Sequence, residues 1–201
     1  MQQRSPEWFA ARCGRVTASR VADVIATTRS GYAASRANYM AELVVERLTG
    51  LPTEGYTNAA MQWGIDQEPH ARAAYSARTG ELVEEIGFVP HPTLEAGASP
   101  DGLVLDGILE IKCPNTATHI EYLLEKTVPT KYFTQIQWQL ACTGRAWADF
   151  VSFDPRMPPH LSLLVVRVQR DDNHIVNLER EVGIFLAELA AKVNTLKEMK
   201  L

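Results

Sequence analysis

The chain has 201 residues, 46% of them hydrophobic and 22% charged, enough apolar mass for one domain with a sizeable core. Its glycines and prolines are too few for collagen-like or low-complexity sequence, and no apolar run approaches the ~20 residues of a membrane-spanning helix. A net charge of −4 argues against an all-over basic nucleic-acid binder, yet the stretch from Arg4 to Arg36 holds six arginines against two acids. A basic stretch of this kind is either a solvated helix face or a local phosphate-binding surface.

Residues 1–7 contain no apolar leader core, so no secretory signal is expected. Three cysteines, Cys13, Cys113 and Cys142, form no CxxC pair, and a reducing cytosol is the simplest setting.

In chain order, Ser5-Pro6 predicts a helix start, with Ser5 as cap and Pro6 in the first turn. Thr17-Ala18-Ser19 predicts a second cap opening a short helix through Ile25, and 27–31 is expected to be a loop. Apolar spacing at Met40, Leu43, Val44 and Leu48 predicts a helix over 35–48, ended by Gly50. A further helix is expected over 58–78, closed by Gly80. The period then changes, and 81–89, 98–105 and 108–113 are expected as strands, with Asp106-Gly107 as a two-residue hairpin turn. Helices are predicted over 115–125 and 130–143, strands over 147–153 and 161–168, and a long helix over 173–200. This order predicts an α/β (α+β) domain with a central mixed β-sheet flanked by helices.

The hairpin carries the chemistry. With Asp106-Gly107 as the turn, Leu103 pairs with Glu110 and Asp101 with Lys112, so Asp101, Glu110 and Lys112 project from one face. Carboxylates on so apolar a hairpin cost several kcal/mol if buried uncompensated, roughly the penalty for unpaired buried charge. A hard divalent cation removes that penalty, and the Ile111 carbonyl, between the two charged residues, is a further candidate ligand. A bound cation lowers the pKa of a water and steadies charge on a phosphoryl oxygen, while Lys112 orients or deprotonates the water or stabilises the developing charge. The plainer alternative is a surface salt bridge between Lys112 and one acid.

Pro100-Asp101, eight residues, then Glu110-Ile111-Lys112 is the PD-(D/E)xK signature. Further blocks accompany it in order: Trp8 with Arg12-Cys13-Gly14-Arg15-Val16-Thr17-Ala18-Ser19, then Trp63-Gly64-Ile65-Asp66-Gln67-Glu68, Gln135-Ile136-Gln137, and Asp154-Pro155-Arg156-Met157. Together, over about residues 7–157, they resemble the phage lambda exonuclease (YqaJ-type viral recombinase) family. The resemblance implies a restriction-endonuclease-like PD-(D/E)xK core and a single nuclease domain over 1–201. It implies an exonuclease using Mg²⁺ (two ions, with Mn²⁺ able to substitute) that degrades one strand of linear double-stranded DNA from its 5′ end to mononucleotides. The product is a 3′ single-stranded tail for recombination. It also implies a homotrimeric ring, a phage-type single-strand annealing protein as partner, and a phage- or prophage-encoded protein in the bacterial cytosol.

The family motif makes Glu68 an acid at the metal site with Asp101, Glu110 and the Ile111 carbonyl; otherwise it is an exposed helix acid. By resemblance Arg12, Ser19, Ser99 and Gln135 form a pocket for the 5′-phosphate, although Ser19 also reads as a plain N-cap. Gln137 lies about 160° around a helix from Gln135, so only one of the two belongs in that pocket, and Gln137 is carried as a DNA contact. Arg29 is a loop charge or a rudder on the duplex. Met61 packs in the core or wedges into the duplex end. The four tryptophans are expected in the core, and the histidines show no ligand spacing. Two other activities share these residues: an endonuclease, against which an end-anchoring pocket argues, and a catalytically silent DNA-end-binding scaffold, against which the intact acids and Lys112 argue.

Overall fold

The structure, a computed structural model, describes residues 1–53 and 58–199. Helix α1 (Pro6–Arg12) starts as expected, its Ser5 hydroxyl accepting from the Trp8 N–H at 3.3 Å. Strand β1 (Val16–Thr17), a 3₁₀ turn (Ala18–Arg20) and α2 (Val21–Ile25) follow. Ser19 caps nothing: it lies within the 3₁₀ turn, and α2 begins after Arg20 without a side-chain cap. The expected loop at 27–31 is a small hairpin, β2 (Thr27–Thr28) with β3 (Gly31–Tyr32), which carries Arg29 at its tip. Helices α3 (Ala34–Thr49) and α4 (Ala59–Thr79) end on left-handed Gly50 and Gly80.

Of the strand expected over 81–89 only Val89 enters one, at the start of a short strand, and 81–88 forms none. Leu82 is 89% exposed, and only Glu84 bridges, to Leu103. The Ile86 carbonyl instead accepts from Gln3, and Gly87 lies against the Met1 carbonyl, so the N-terminal residues take the place of a strand partner. Strands β4 (Val89–Pro90), β5 (Ala96–Ala98), β6 (Gly102–Val104) and β7 (Gly107–Lys112) come next. The predicted strand at 98–105 is split because Pro100 has no N–H to continue a ladder. Then follow α5 (Thr116–Glu125), α6 (Thr130–Thr143), β8 (Trp147–Phe153), β9 (Leu163–Gln169) and α7 (Asp172–Glu198).

The main sheet runs β6-β7-β8-β9, with β7 and β8 parallel and the outer pairs antiparallel; β1, β5 and β4 form a second mixed sheet. Residues alternate across β7. Leu109 and Ile111 pack towards Ala71 and Tyr75 of α4, whereas Ile108 packs towards Tyr122, Ile136 and Leu140 of α5 and α6. Glu110 and Lys112 share the face of Ile108, so a central strand covered on both sides delivers two charges beneath α6.

The hairpin turn lies one residue earlier than predicted, which moves each residue's cross-strand partner by two. Val104 pairs with Gly107, so the turn is Leu105-Asp106, with Leu105 at φ 49°. The cause is Trp147: a Cβ at position 107 would lie 2.4 Å from its ring, and that ring is held from behind by Arg167, 3.6 Å from its centroid and paired to Asp149. Gly107 is therefore spent on packing, not on the turn. Gly107→Ala should destabilise the fold by about 1–3 kcal/mol through overpacking, seen as a melting temperature lower by roughly 2–4 °C per kcal/mol. An unchanged melt would show that Trp147 yields.

Candidate active site

The observed ladder ends at Gly102 paired with Leu109, so its continuation sets Asp101 against Glu110, two residues from the expected partner Lys112 and therefore on the same face. The Asp101 N–H donates to the Leu109 carbonyl at 3.0 Å, and its carboxylate accepts from the Ile111 N–H at 2.6 Å. Glu110, 1% exposed, accepts from Lys112, from Gln135 at 2.7 Å and from Gln139 at 2.6 Å. Gln135 and Gln139 stand four apart on α6 and so share the helix face above β7. Lys112 also lies 5.1 Å from the centre of the Tyr132 ring.

Glu68 arrives from α4 on the opposite layer. One of its oxygens pairs with Arg72 at 2.6 Å and the other with Arg4 at 3.1 Å. Arg72 also reaches the Asp101 carbonyl at 3.3 Å. Glu68, Asp101, Ile111 and Lys112 line one cavity of about 600 Å³. The expected salt bridge between Lys112 and an acid is present, but it lies inside this cavity with a half-buried lysine rather than on an open surface.

Electrostatics mark the same place. Burial, then Glu110, pushes the Asp101 carboxyl well above the usual range, with Glu68 adding to it and Lys112 opposing. Burial works against the Lys112 ammonium, but Glu110 and Asp101 outweigh it and raise its pKa. Burial also lifts the neighbouring Cys113 thiol to about 12, which leaves it a neutral packing group.

Among the described residues no three His, Cys, Asp or Glu side chains converge into a ready-made metal cage. The donor set nevertheless suits a hard divalent cation. Two carboxylates are crowded together in a desolvated site, and the buried Gln139 Oε1 has no hydrogen-bond partner beside them.

A second cavity, of about 630 Å³, is lined by Trp8, Arg12 and Tyr39, and Ser19 and Met61 line both cavities. The Arg12 guanidinium stacks 4.0 Å from the centre of the Trp8 ring. The Ser99 hydroxyl accepts from Trp8 Nε1 at 2.9 Å and from Arg12 at 3.4 Å. Its two acceptor positions are thus filled and its proton is left to donate onwards. Burial disfavours the charge on Arg12, and among the described residues it has no carboxylate partner. Arg20 and Arg36, by contrast, are paired to Asp23 and Glu42 and to Glu188, so these two charges of the basic stretch are neutralised locally.

Other expected residues part company here. Gln135 bonds Glu110 rather than joining Arg12 and Ser99. Gln137, carried as a DNA contact, is fully buried on the far side of α6, donating to the Gln169 carbonyl and accepting from the Asp171 N–H. Met61 is 51% exposed, so it is no core residue, and Arg29 stands exposed on its hairpin. Trp138 is core, whereas Trp8 is a pocket wall. Sequence reasoning missed Gln139, Arg72 and Arg4. Gln139 had a signal in its four-residue spacing from Gln135; the arginines had none.

A Pro-Asp and Glu-x-Lys set on the adjoining strands of a mixed sheet, with helices on both faces, defines a PD-(D/E)xK core. Residues 7–146 match the YqaJ-like viral recombinase domain. An alkaline exonuclease of Laribacter hongkongensis, LHK-Exo, is 55% identical and superposes with a TM-score of 0.89 over 96% of each chain; its complex with dAMP matches equally. A phage related exonuclease of Haemophilus somnus, 17% identical, shares the fold, with a TM-score of 0.73 over 92% of this chain and 96% of its own. No curated protein matches significantly. The chain belongs to the YqaJ-like viral recombinase family.

Proposed function

We propose that the protein is a metal-dependent exonuclease that degrades one strand of linear duplex DNA from the 5′ end, releasing mononucleotides and leaving a 3′ single-stranded tail. The observation that carries this reading is the pair of contiguous cavities. One is lined by Glu68, Asp101 and Lys112, the other by a half-buried Arg12 with no carboxylate partner among the described residues, and Ser19 and Met61 belong to both. A separate pocket that anchors a strand end serves an enzyme that works from ends and not one that cuts internally. The exonuclease designation of LHK-Exo, and its capture with a nucleoside monophosphate, support the same class.

On this reading Asp101, Glu110, the Ile111 carbonyl and Glu68 hold Mg²⁺, as two ions or with Mn²⁺ in its place. The metal supplies an activated water and charge for the phosphoryl oxygen. Lys112, its proton held by Glu110 and Asp101, acts as a cation that steadies developing charge. Arg12 and Ser99 receive the 5′-phosphate, Ser19 lies on the path between the cavities, Met61 wedges at the duplex end and Arg29 follows the duplex. The family reading adds a single catalytic domain, a homotrimeric ring, a single-strand annealing partner, and phage or prophage origin with work in the bacterial cytosol.

Linear duplex carrying one 5′-phosphate and a label on each strand tests this, in Mg²⁺ and in EDTA, beside a closed circle. The expected result is metal-dependent shortening from the phosphorylated 5′ end, with the circle intact. Cutting of the circle would establish an endonuclease, and binding without cutting in Mg²⁺, or with Mn²⁺ in its place, would establish a scaffold.

A further inference from the structure

The N-terminal residues fold across the edge of the catalytic cavity. Gln3 is latched to two carbonyls, Ile86 at 2.9 Å and Pro100 at 2.7 Å, the latter belonging to the residue before Asp101. Ser5, on the other side, caps α1. Between these two anchors Arg4 sits at φ 66°, in the left-handed region that a non-glycine residue occupies only when its surroundings impose it. The result is that the Arg4 side chain lines the cavity with Asp101, Lys112 and Met61.

Its partner there is Glu68, at 3.1 Å, but Glu68 does not depend on it. The other Glu68 oxygen is bound at 2.6 Å by Arg72, which is 13% exposed where Arg4 is 44% exposed. Arg72 is the fixed counter-ion and Arg4 the replaceable one. A guanidinium on an exposed, replaceable pair beside Lys112 is free to turn to another anion with two parallel hydrogen bonds.

We propose that Arg4 is a further catalytic residue: it rests on Glu68 in the free protein and transfers to a DNA phosphate in the catalytic cavity when Glu68 engages a metal ion. This rests on the exonuclease reading above. It assigns to the leading segment the work of gripping the strand at the cutting site, separate from the grip of Arg12 on its end.

The test uses Lys112→Gln protein, in which DNA is not turned over, and a fluorescent 5′-phosphorylated duplex titrated at several KCl concentrations in Mg²⁺ and in EDTA. Loss of one phosphate contact lowers the slope of log K against log[salt] by about 0.7–0.9. Adding Arg4→Gln should lower the slope by that amount in Mg²⁺ and by less in EDTA, while Arg4→Lys retains it. With Lys112 intact, Arg4→Gln should lower kcat about tenfold or more, by loss of a charged hydrogen bond. Arg4→Gly, which relieves the backbone while deleting the cation, should fold at least as well and cut as poorly. An unchanged salt slope in Mg²⁺, or faster cutting by Arg4→Gln, overturns the proposal, the latter by making Arg4 a restraint on Glu68. Wild-type cutting by Lys112→Gln would instead overturn the exonuclease reading itself.

Discussion

Asp101→Asn should leave a protein that melts at a higher temperature than the wild type in EDTA near neutral pH, yet has lost DNA cleavage. Burial and Glu110 raise the Asp101 carboxyl, so the folded state holds that proton more tightly than the unfolded chain does. For an acid shifted upwards, the stabilising contribution is full below the unfolded pKa. It is lost as pH rises through the folded one. At neutral pH the wild-type protein therefore carries the cost of burying Asp101 beside Glu110, and asparagine removes it while its carbonyl oxygen still accepts the Ile111 N–H. Each kcal/mol relieved appears as about 2–4 °C in a domain of this size, and the gap between variant and wild type should close as pH falls. Loss of groups that only orient metal ligands costs about 10–100-fold, so loss of a proposed ligand should cost more than about 100-fold in Mg²⁺. Stabilisation with full activity would remove Asp101 from the chemistry; loss of activity together with a lowered melting temperature would make it structural.

Arg12→Ala should impair 5′-phosphorylated ends far more than 5′-hydroxyl ends. Trp8 and Ser99 set the guanidinium in its cavity, no carboxylate among the described residues neutralises it, and burial disfavours its charge. A phosphate supplies the missing anion. A charge-assisted hydrogen bond is worth about 1.5–3 kcal/mol, so kcat/KM on phosphorylated ends should fall by about 10–100-fold. Arg12→Lys should recover only part of it, because an ammonium cannot make the paired contact. Equal losses on the two substrates would mean that Arg12 supports the structure and does not read the end.

Much of this site was legible in the sequence. The composition of β7 placed two charges on a strand otherwise apolar enough for the centre of a sheet, and alternation put Asp101, Glu110 and Lys112 on one face. That conclusion survived a register error because shifting the turn by one residue changed Asp101's partner, while the residue still lay opposite the Glu110 side of the strand. The error itself was not avoidable from local signals. Asp106-Gly107 is a good turn, and only the ring of Trp147, forty residues on, claims Gly107 for packing. Helical spacing separated Gln135 from Gln137 correctly, but not which anion Gln135 would meet. That depends on α6 lying over β7, a relation between elements distant in the chain. The ion pairs that neutralise Arg20 and Arg36 were equally hidden: Glu188 meets Arg36 only because α7 packs on α3.

The wall shared by the two cavities has a consequence for what leaves the enzyme. Ser19 sits in a 3₁₀ turn pinned between β1 and α2, and Met61 sits in the first turn of α4, both carried by regular structure rather than by a long loop. If one cavity seats the terminal phosphate and the other cuts, the stretch of strand between them is a stride measured by the scaffold. Fragment length then becomes a property of the protein's geometry, indifferent to which bases pass through, and digests of A·T-rich and G·C-rich duplexes should differ in pace but share one product size.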